Sequence, residues 1–168
     1  MDKKQFSTKE LTLLALLMAL TCVSTMMIAI PTVATKGYVN LGDMIVILSG
    51  FLTGPIGGFI AGGIGSALAD LFLGYAYYAP ITFVVKGIEG ALAGWLFKRL
   101  KDKKLHILAA ILPGLFMACG YFFAECFIYS VAAAFSDLFG NIIQGLTGAV
   151  LAIILYPIII KVKRQIFN

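Results

Sequence analysis

The stretch VVKGIEGALAGW, residues 84–95, carries two ionisable side chains in an otherwise apolar, glycine-rich segment. Lys86 and Glu89 are three residues apart, so on a helix they share one face and can pair with each other. An ion near the centre of a membrane helix costs roughly 2.5–3.5 kcal/mol on insertion scales, so ions that are retained there are usually paired or functional. The two residues therefore indicate either a buried ion pair or the polar wall of a binding site.

Polar side chains of the same kind occur in the neighbouring apolar segments. Asp70 and Lys86 flank one loop almost symmetrically, so in an antiparallel hairpin they fall at similar depth. A structural Asp70–Lys86 pair and a role in ligand binding both fit this spacing. Carboxylates would accept hydrogen bonds from a solute, and the amides would supply neutral hydrogen bonds. The candidate binding residues are Asn40, Asp70, Tyr75, Tyr78, Lys86, Glu89, Glu125, Asn141 and Gln144.

Some of the polar and aromatic residues have a second interpretation. Asp43 and Asp137 fall near the expected membrane boundary, where they can be solvated or can cap helices. The tyrosines of YAYY, residues 75–78, fit an aromatic belt at the membrane interface as well as a wall that stacks on a flat solute.

Enzyme motifs give little support to a catalytic function. The chain has no GxxxxGK[ST] loop, no HExxH and no GxSxG. NLGD at 40–43 resembles the GxGD of intramembrane aspartyl proteases, with Asp43 and Asp70 as the two carboxylates, but Asn40 replaces the first glycine. His106 is the only histidine, and the three cysteines have no CxxC spacing. We expect no catalytic residue, no metal site and no cofactor.

The elements that hold these residues follow from the composition. With 61% hydrophobic and 12% charged residues in a chain of 168, the apolar surface requires a bilayer. We predict an all-α integral membrane protein, residues 1–168 forming a single domain, a compact bundle of six transmembrane helices. The first is interpreted as a retained helix and not a signal peptide, and a connector is expected near Ser136. The predicted helices are 9–29, 41–52, 56–73, 80–97, 106–130 and 138–160.

Lysines and arginines gather at three places on one side of this bundle. They are Lys3, Lys4 and Lys9; then Lys98, Arg99, Lys101, Lys103 and Lys104; then Lys161, Lys163 and Arg164. The positive-inside rule puts both termini in the cytoplasm and the protein in the plasma membrane. The net charge of +5 is thus explained without nucleic acid.

This orientation places the polar candidates beneath the outer surface, whereas the inner halves of the helices are apolar. The asymmetry favours capture of a solute from outside over a continuous pore. An autonomous channel or transporter is the alternative of a different class.

Small residues recur at spacings of four. GGFIAGGIGSALAD, residues 57–70, has two such stripes, which favour close internal packing of helices. Ala15 and Ala19 in the first helix form a weaker motif that fits internal packing or a face for a partner membrane protein.

Taken together, the six short helices, the polar outer layer, the Ala-xxx-Ala and the pieces NLGD, GSALAD and KGIEG resemble a substrate-binding S component of an energy-coupling factor (ECF) vitamin transporter. The similarity covers essentially the whole chain and is greatest to the riboflavin-type branch, which includes hydroxymethylpyrimidine and pyridoxine carriers. One departure is the lack of tryptophan in the outer loops, which leaves stacking to tyrosine or phenylalanine.

The resemblance implies a function and a set of partners. An S component captures a vitamin from outside, beneath a lid that corresponds here to residues 31–39. Ala15 and Ala19 match the motif that docks on a transmembrane coupling subunit, and two ATPase subunits supply the energy. We therefore expect a carrier of a small heteroaromatic vitamin or precursor, pyridoxine-like or hydroxymethylpyrimidine-like, with riboflavin as the alternative ligand.

Overall fold

The computed structural model of the protein describes residues 7–167, which form five α-helices and one small β-hairpin. The helices are α1 (Thr8–Met27), α2 (Gly42–Leu73), α3 (Ala79–Arg99), α4 (His106–Ile128) and α5 (Val131–Phe167). The strands are β1 (Ala29–Pro31) and β2 (Tyr38–Asn40), and a short 3-10 helix (Lys103–Leu105) precedes α4. All five α-helices are long and apolar enough to cross a membrane.

Helix α2 contains both the second and the third predicted helices and is folded back on itself. Its geometry is interrupted at Gly54, whose φ of 81° lies in the left-handed region that favours glycine. A Cβ added to Gly58 would lie 2.8 Å from the Cα of Gly50, and one added to Gly62 would lie 2.8 Å from a methyl group of Val46. These contacts are impossible in a straight helix. Residues 42–53 and 55–73, here called arm A and arm B, therefore run antiparallel.

Helix α3 packs against both arms at backbone distance. A Cβ on Gly62 would lie 2.6 Å from the carbonyl oxygen of Lys86, and one on Gly50 would lie 2.4 Å from the carbonyl oxygen of Gly90. Only residues without a side chain permit this approach, so the predicted packing role of the small-residue stripes is confirmed. This close approach fixes the position of Lys86 along arm B.

The segment between α1 and α2 contains the β-hairpin, which an all-helical prediction did not include. Strands β1 and β2 are antiparallel, with Ile30 opposite Val39, and the amide of Thr32 donates to the carbonyl of Gly37 over 2.9 Å. Lys36 at the turn has a φ of 52°, which is uncommon for a residue with a side chain. Residues 32–37 are thereby held in one compact turn over the end of the bundle.

Helix α5 begins earlier than predicted. The hydroxyl of Ser130 accepts a hydrogen bond from the amide of Ala133, so Ser130 caps the helix. Ser136, where we expected a connector, lies inside α5 and donates to the carbonyl of Ala133 over 2.8 Å. The connection to α4 is therefore only residues 129–130, and it brings the ends of α4 and α5 together.

An apolar cluster fills the bundle on the side of the Gly54 bend. Its buried members are Ile45, Ile47, Leu48, Phe51, Ala93, Ala109, Ala110, Ala149 and Ala152. The opposite end of the bundle, beneath the β-hairpin, is where the buried polar residues lie.

Candidate functional site

A cavity lies beneath the β-hairpin, between the ends of the helices. Its volume is about 30 Å³, which is room for roughly two water molecules. It is lined by side chains from all five helices and from the hairpin segment: Thr25, Thr32, Gly37, Tyr38, Asn40, Ser66, Asp70, Tyr78, Thr82, Lys86, Tyr121, Glu125, Asp137, Asn141 and Gln144.

The floor of this cavity is a buried ionic cluster. Lys86 forms an ion pair with Asp43 at the start of arm A, and its ammonium lies 3.1 Å from Glu89. The amide of Gln144 donates to both oxygens of Asp43 over 3.1 Å. All four side chains are buried.

Two interpretations from the sequence are therefore wrong. Asp43 is neither solvated nor a simple helix cap, because its side chain is buried and paired with Lys86. Within residues 7–167, Lys86 pairs with Asp43 and Glu89 and not with Asp70. The reason is that α3 packs parallel to arm A, which carries Asp43 to the level of Lys86.

The roof of the cavity is made by the hairpin segment. The hydroxyl of Thr35 donates to Asp137, and the phenol of Tyr38 donates to Asp70 over 2.5 Å. The phenol of Tyr78 lies 3.1 Å from the carbonyl oxygen of Thr35 and 3.3 Å from Glu125. Burial, reinforced by the charge of Asp70, raises the pKa of Tyr38 well above its usual value, so Tyr38 remains a donor. The roof thus bonds directly to Asp137 and Asp70, and the Tyr78 phenol lies between it and Glu125.

Several buried polar atoms in the wall have no hydrogen-bond partner within the described residues. They are Oγ1 of Thr25, Oγ of Ser66, Oδ2 of Asp70 and Oε2 of Glu125. Each of these residues is at most 3% exposed. Buried polar groups are nearly always paired, so four unpaired atoms around one cavity are typical of a site that receives polar groups from a ligand.

The structure brings most of the predicted binding residues together. Asn40, Asp70, Tyr78, Lys86, Glu125, Asn141 and Gln144 all line the cavity. Glu89 does not line it, but lies behind Lys86 in the floor. Tyr75 is also outside the wall and packs on Tyr38 with ring centroids 4.8 Å apart.

Sequence reasoning missed Ser66, Thr82 and Tyr121, and it treated Asp137 as a boundary residue. Each lies one helical turn before a predicted residue on the same face, namely Asp70, Lys86, Glu125 and Asn141. The i, i+4 spacing was therefore the signal that could have found them. Tyr38 and Thr32 belong to the hairpin segment, for which no comparable spacing is present in the sequence.

The two carboxylates of an aspartyl protease must lie together in one site. Asp43 and Asp70 do not share a site in this structure. Asp43 is bound by Lys86 and Gln144, whereas Asp70 accepts from Tyr38. The floor cluster also separates the cavity from the apolar core that contains Ile47 and Ala149.

Comparison with known proteins relates this architecture to transporters. The ECF-type riboflavin transporter S component family matches residues 5–161. The thiamine precursor transporter HmpT of Lactococcus lactis subsp. cremoris (strain MG1363) is 34% identical over 160 residues, covering 95% of this chain and 91% of that protein.

A second relative comes from an archaeon. An uncharacterized protein of Pyrococcus woesei is 37% identical over 129 residues, which cover 77% of this chain and 86% of that protein. The match to the family extends over nearly all of the described helices, the cavity and the hairpin. The chain therefore belongs to the ECF-type riboflavin transporter S component family, as a multi-pass, vitamin-binding membrane subunit of an ECF transporter.

Proposed function

We propose that this S component captures a small heteroaromatic vitamin or vitamin precursor, of the hydroxymethylpyrimidine or pyridoxine type, from outside the cell. The observation that carries the proposal is the set of unpaired buried polar atoms around one cavity under the hairpin. Similarity to a thiamine precursor transporter supports a pyrimidine. Riboflavin is the alternative ligand, which the family description supports.

Cavity size favours a single ring over a flavin. The cavity of about 30 Å³ lies under the closed hairpin segment, so we propose that residues 32–38 move when a ligand enters. A three-ring flavin would require the roof to stay displaced or the helices to separate, whereas one ring fits between Asp70 and Glu125 with less rearrangement. We assign hydrogen-bonding roles to Asp70, Glu125, Asn40, Asn141 and Gln144.

In the same proposal, Lys86 contacts an oxygen of the ligand, Tyr78 packs on its ring, and Glu89 acts through Lys86. Tyr75 does not contact the ligand, and its role is to position Tyr38, on which its ring packs. The hairpin segment acts as the lid.

The proposed topology has six crossing segments, because arms A and B are antiparallel, and both termini lie in the cytoplasm. The charges support this orientation: Lys98, Arg99 and Lys161 lie at the end of the bundle opposite the cavity. Lys3 and Lys4 lie outside the described residues. The cavity would then open to the exterior of the plasma membrane. In this proposal the whole chain forms a single membrane domain.

Docking on a transmembrane coupling subunit, itself bound to two ATPase subunits, is proposed through α1. Ala15 and Ala19 are exposed and lie across the helix from the buried Leu13, Leu14 and Leu17. A small-residue face turned to lipid permits close approach of a partner helix.

Mass spectrometry of small molecules that co-purify with the intact, detergent-solubilised protein tests the proposal. Calorimetric titration with hydroxymethylpyrimidine, pyridoxine and riboflavin would accompany it. We expect one single-ring compound to bind, and Glu125→Gln to weaken it roughly 10-fold or more, because a hydrogen bond to a charged group is worth about 1.5–3 kcal/mol. Asp102→Asn in the exposed cytoplasmic loop is the control. If no vitamin co-purifies or binds, the proposal is wrong.

A further inference from the structure

Asp70 and Glu125 are arranged alike on two sides of the cavity. One oxygen of Asp70 accepts from Tyr38, and one oxygen of Glu125 lies within hydrogen-bond distance of the Tyr78 phenol. The second oxygen of each carboxylate is buried and has no hydrogen-bond partner among residues 7–167. Thr82 and Thr35 lie near these carboxylates, but neither hydroxyl bonds to the free oxygens.

The charge around the cavity is unbalanced. Its wall carries the carboxylates of Asp70, Glu125 and Asp137 and a single cation, Lys86. That cation is already paired with two further carboxylates in the floor. In the described part of the chain, no ion pair reaches any of the three wall carboxylates.

An unpaired carboxylate oxygen in a dry site can only accept a hydrogen bond, so its partner must be a hydrogen-bond donor. Burying a carboxylate without a partner is costly, and a ligand that brings a donor removes this cost. A ligand that brings another anion would place like charges side by side, which costs several kcal/mol. The two free oxygens lie on different helices, so a donor at each of two edges of one ring would satisfy both.

We infer, resting on the proposed function, that Asp70 and Glu125 are specificity determinants that select a donor-rich or cationic heteroaromatic ring. The class is a ring with an exocyclic amino group or a protonated ring nitrogen. The same two residues exclude anionic forms of that ring, such as its phosphate monoester. Lys86 does not reverse this preference, because Asp43 and Glu89 already neutralise the charge of its ammonium group.

Three matched probes test the inference on the intact wild-type protein by calorimetry. They are an amino-substituted hydroxymethylpyrimidine, its analogue in which an oxo group replaces the amino group, and its phosphate monoester. We expect the oxo analogue to bind at least roughly 10-fold more weakly, because a donor is replaced by an acceptor facing a carboxylate. We expect the monoester to bind at least roughly 100-fold more weakly.

Variants then assign the preference to the two carboxylates. In Asp70→Asn and Glu125→Gln, an amide replaces the acceptor, so the ratio of affinities for the amino and oxo probes should fall roughly 10-fold. A merely structural role would weaken both probes equally and leave the ratio unchanged. Asp102→Asn should not alter the ratio. Melting temperatures of all variants would identify any that fail to fold, and the wild-type comparison does not depend on them.

Two results overturn the inference: a monoester that binds as tightly as the alcohol, or an affinity ratio that neither variant changes. Both of these results would leave the proposed function standing. Binding of riboflavin alone, or of no vitamin at all, would refute the proposed function as well.

Discussion

Lys86 of α3 forms an ion pair with Asp43, the second residue of α2, although the two are 43 positions apart in the chain. The pair is completely buried, and Glu89 and Gln144 complete its surroundings. Arm A, α3 and α5 therefore meet at one polar point, directly under the cavity. The cluster holds two carboxylates, those of Asp43 and Glu89, but one ammonium group, that of Lys86.

Lys86→Met should destabilise the protein far more than removal of either carboxylate. The substitution leaves Asp43 and Glu89 buried without a cation, which costs about 3–5 kcal/mol. Asp43→Asn leaves the Lys86–Glu89 contact in place, and Glu89→Gln leaves the Lys86–Asp43 pair in place. Thermal unfolding in detergent compares the three variants, and equal losses would show that the ammonium is not the common partner.

Gly114→Ala and Gly145→Ala should each destabilise the contact between α4 and α5. A Cβ on Gly114 would lie 2.7 Å from the carbonyl oxygen of Gly145, and one on Gly145 would lie 2.6 Å from that of Gly114. Because both neighbours are backbone atoms, the helices must separate, at a cost of about 1–3 kcal/mol. The melting temperature measures the effect.

Gly120→Ala is the matched control, since Gly120 lies in α4 as Gly114 does. Its Cβ would first meet side-chain methyl groups of Val85 at 3.1 Å, which can shift. Alanine also favours a helix over glycine by up to about 1 kcal/mol. We expect Gly120→Ala to be neutral or stabilising, and a loss as large as that of Gly114→Ala would argue against backbone contact as the cause.

Tyr38→Phe should shorten the residence time of the ligand. The phenol of Tyr38 ties the roof to Asp70, and a hydrogen bond to a charged group contributes about 1.5–3 kcal/mol. We expect dissociation to become roughly 10- to 100-fold faster, as read from the release of a radiolabelled vitamin. Tyr156→Phe, which lies beside Phe51 in the apolar cluster at the opposite end of the bundle, should release ligand at the wild-type rate. Similar rates for the two variants would refute this role of the roof.

The same tyrosine predicts an alkaline limit to stability. Burial and the charge of Asp70 raise the pKa of Tyr38 above its usual 10.0. A pKa raised by folding gives stability that is complete below pH 10 and is lost as the pH rises beyond it. The difference in melting temperature between wild type and Tyr38→Phe should therefore be constant from about pH 7 to 9 and decline above pH 10. A decline already between pH 7 and 9 would contradict the assignment.

Ala15→Trp and Ala19→Trp should block transport without affecting vitamin binding. Both alanines are exposed on the face of α1 that is turned away from the bundle, so a bulky side chain there prevents close approach of a partner helix. Co-purification with the coupling subunit and uptake in cells should be lost, while calorimetric affinity is unchanged. Leu16→Trp, also exposed but to one side of this face, is the control. Retained uptake in both alanine variants would exclude this docking face.

The sequence was sufficient for the apolar spans and for seven of the fifteen residues that line the cavity, because membrane spans and polar residues within them are strong local signals. Asp70, Glu125 and Asn141 were found because each interrupts an apolar run. The contact between Lys86 and Glu89 was predicted from their spacing, whereas the pair between Lys86 and Asp43 was not. That pair depends on how three packed segments are arranged around the fold-back at Gly54. The hairpin was also missed, because two strands of three residues leave almost no periodicity.

The bend at Gly54 also bears on how the protein enters the bilayer during synthesis. Arm A, residues 42–53, is about 18 Å long at 1.5 Å per residue, well short of a hydrocarbon core of about 30 Å. We therefore expect arm A to enter the bilayer already paired with arm B, as a helical hairpin. A substitution at Gly54 should then appear as failed insertion before any loss of ligand affinity.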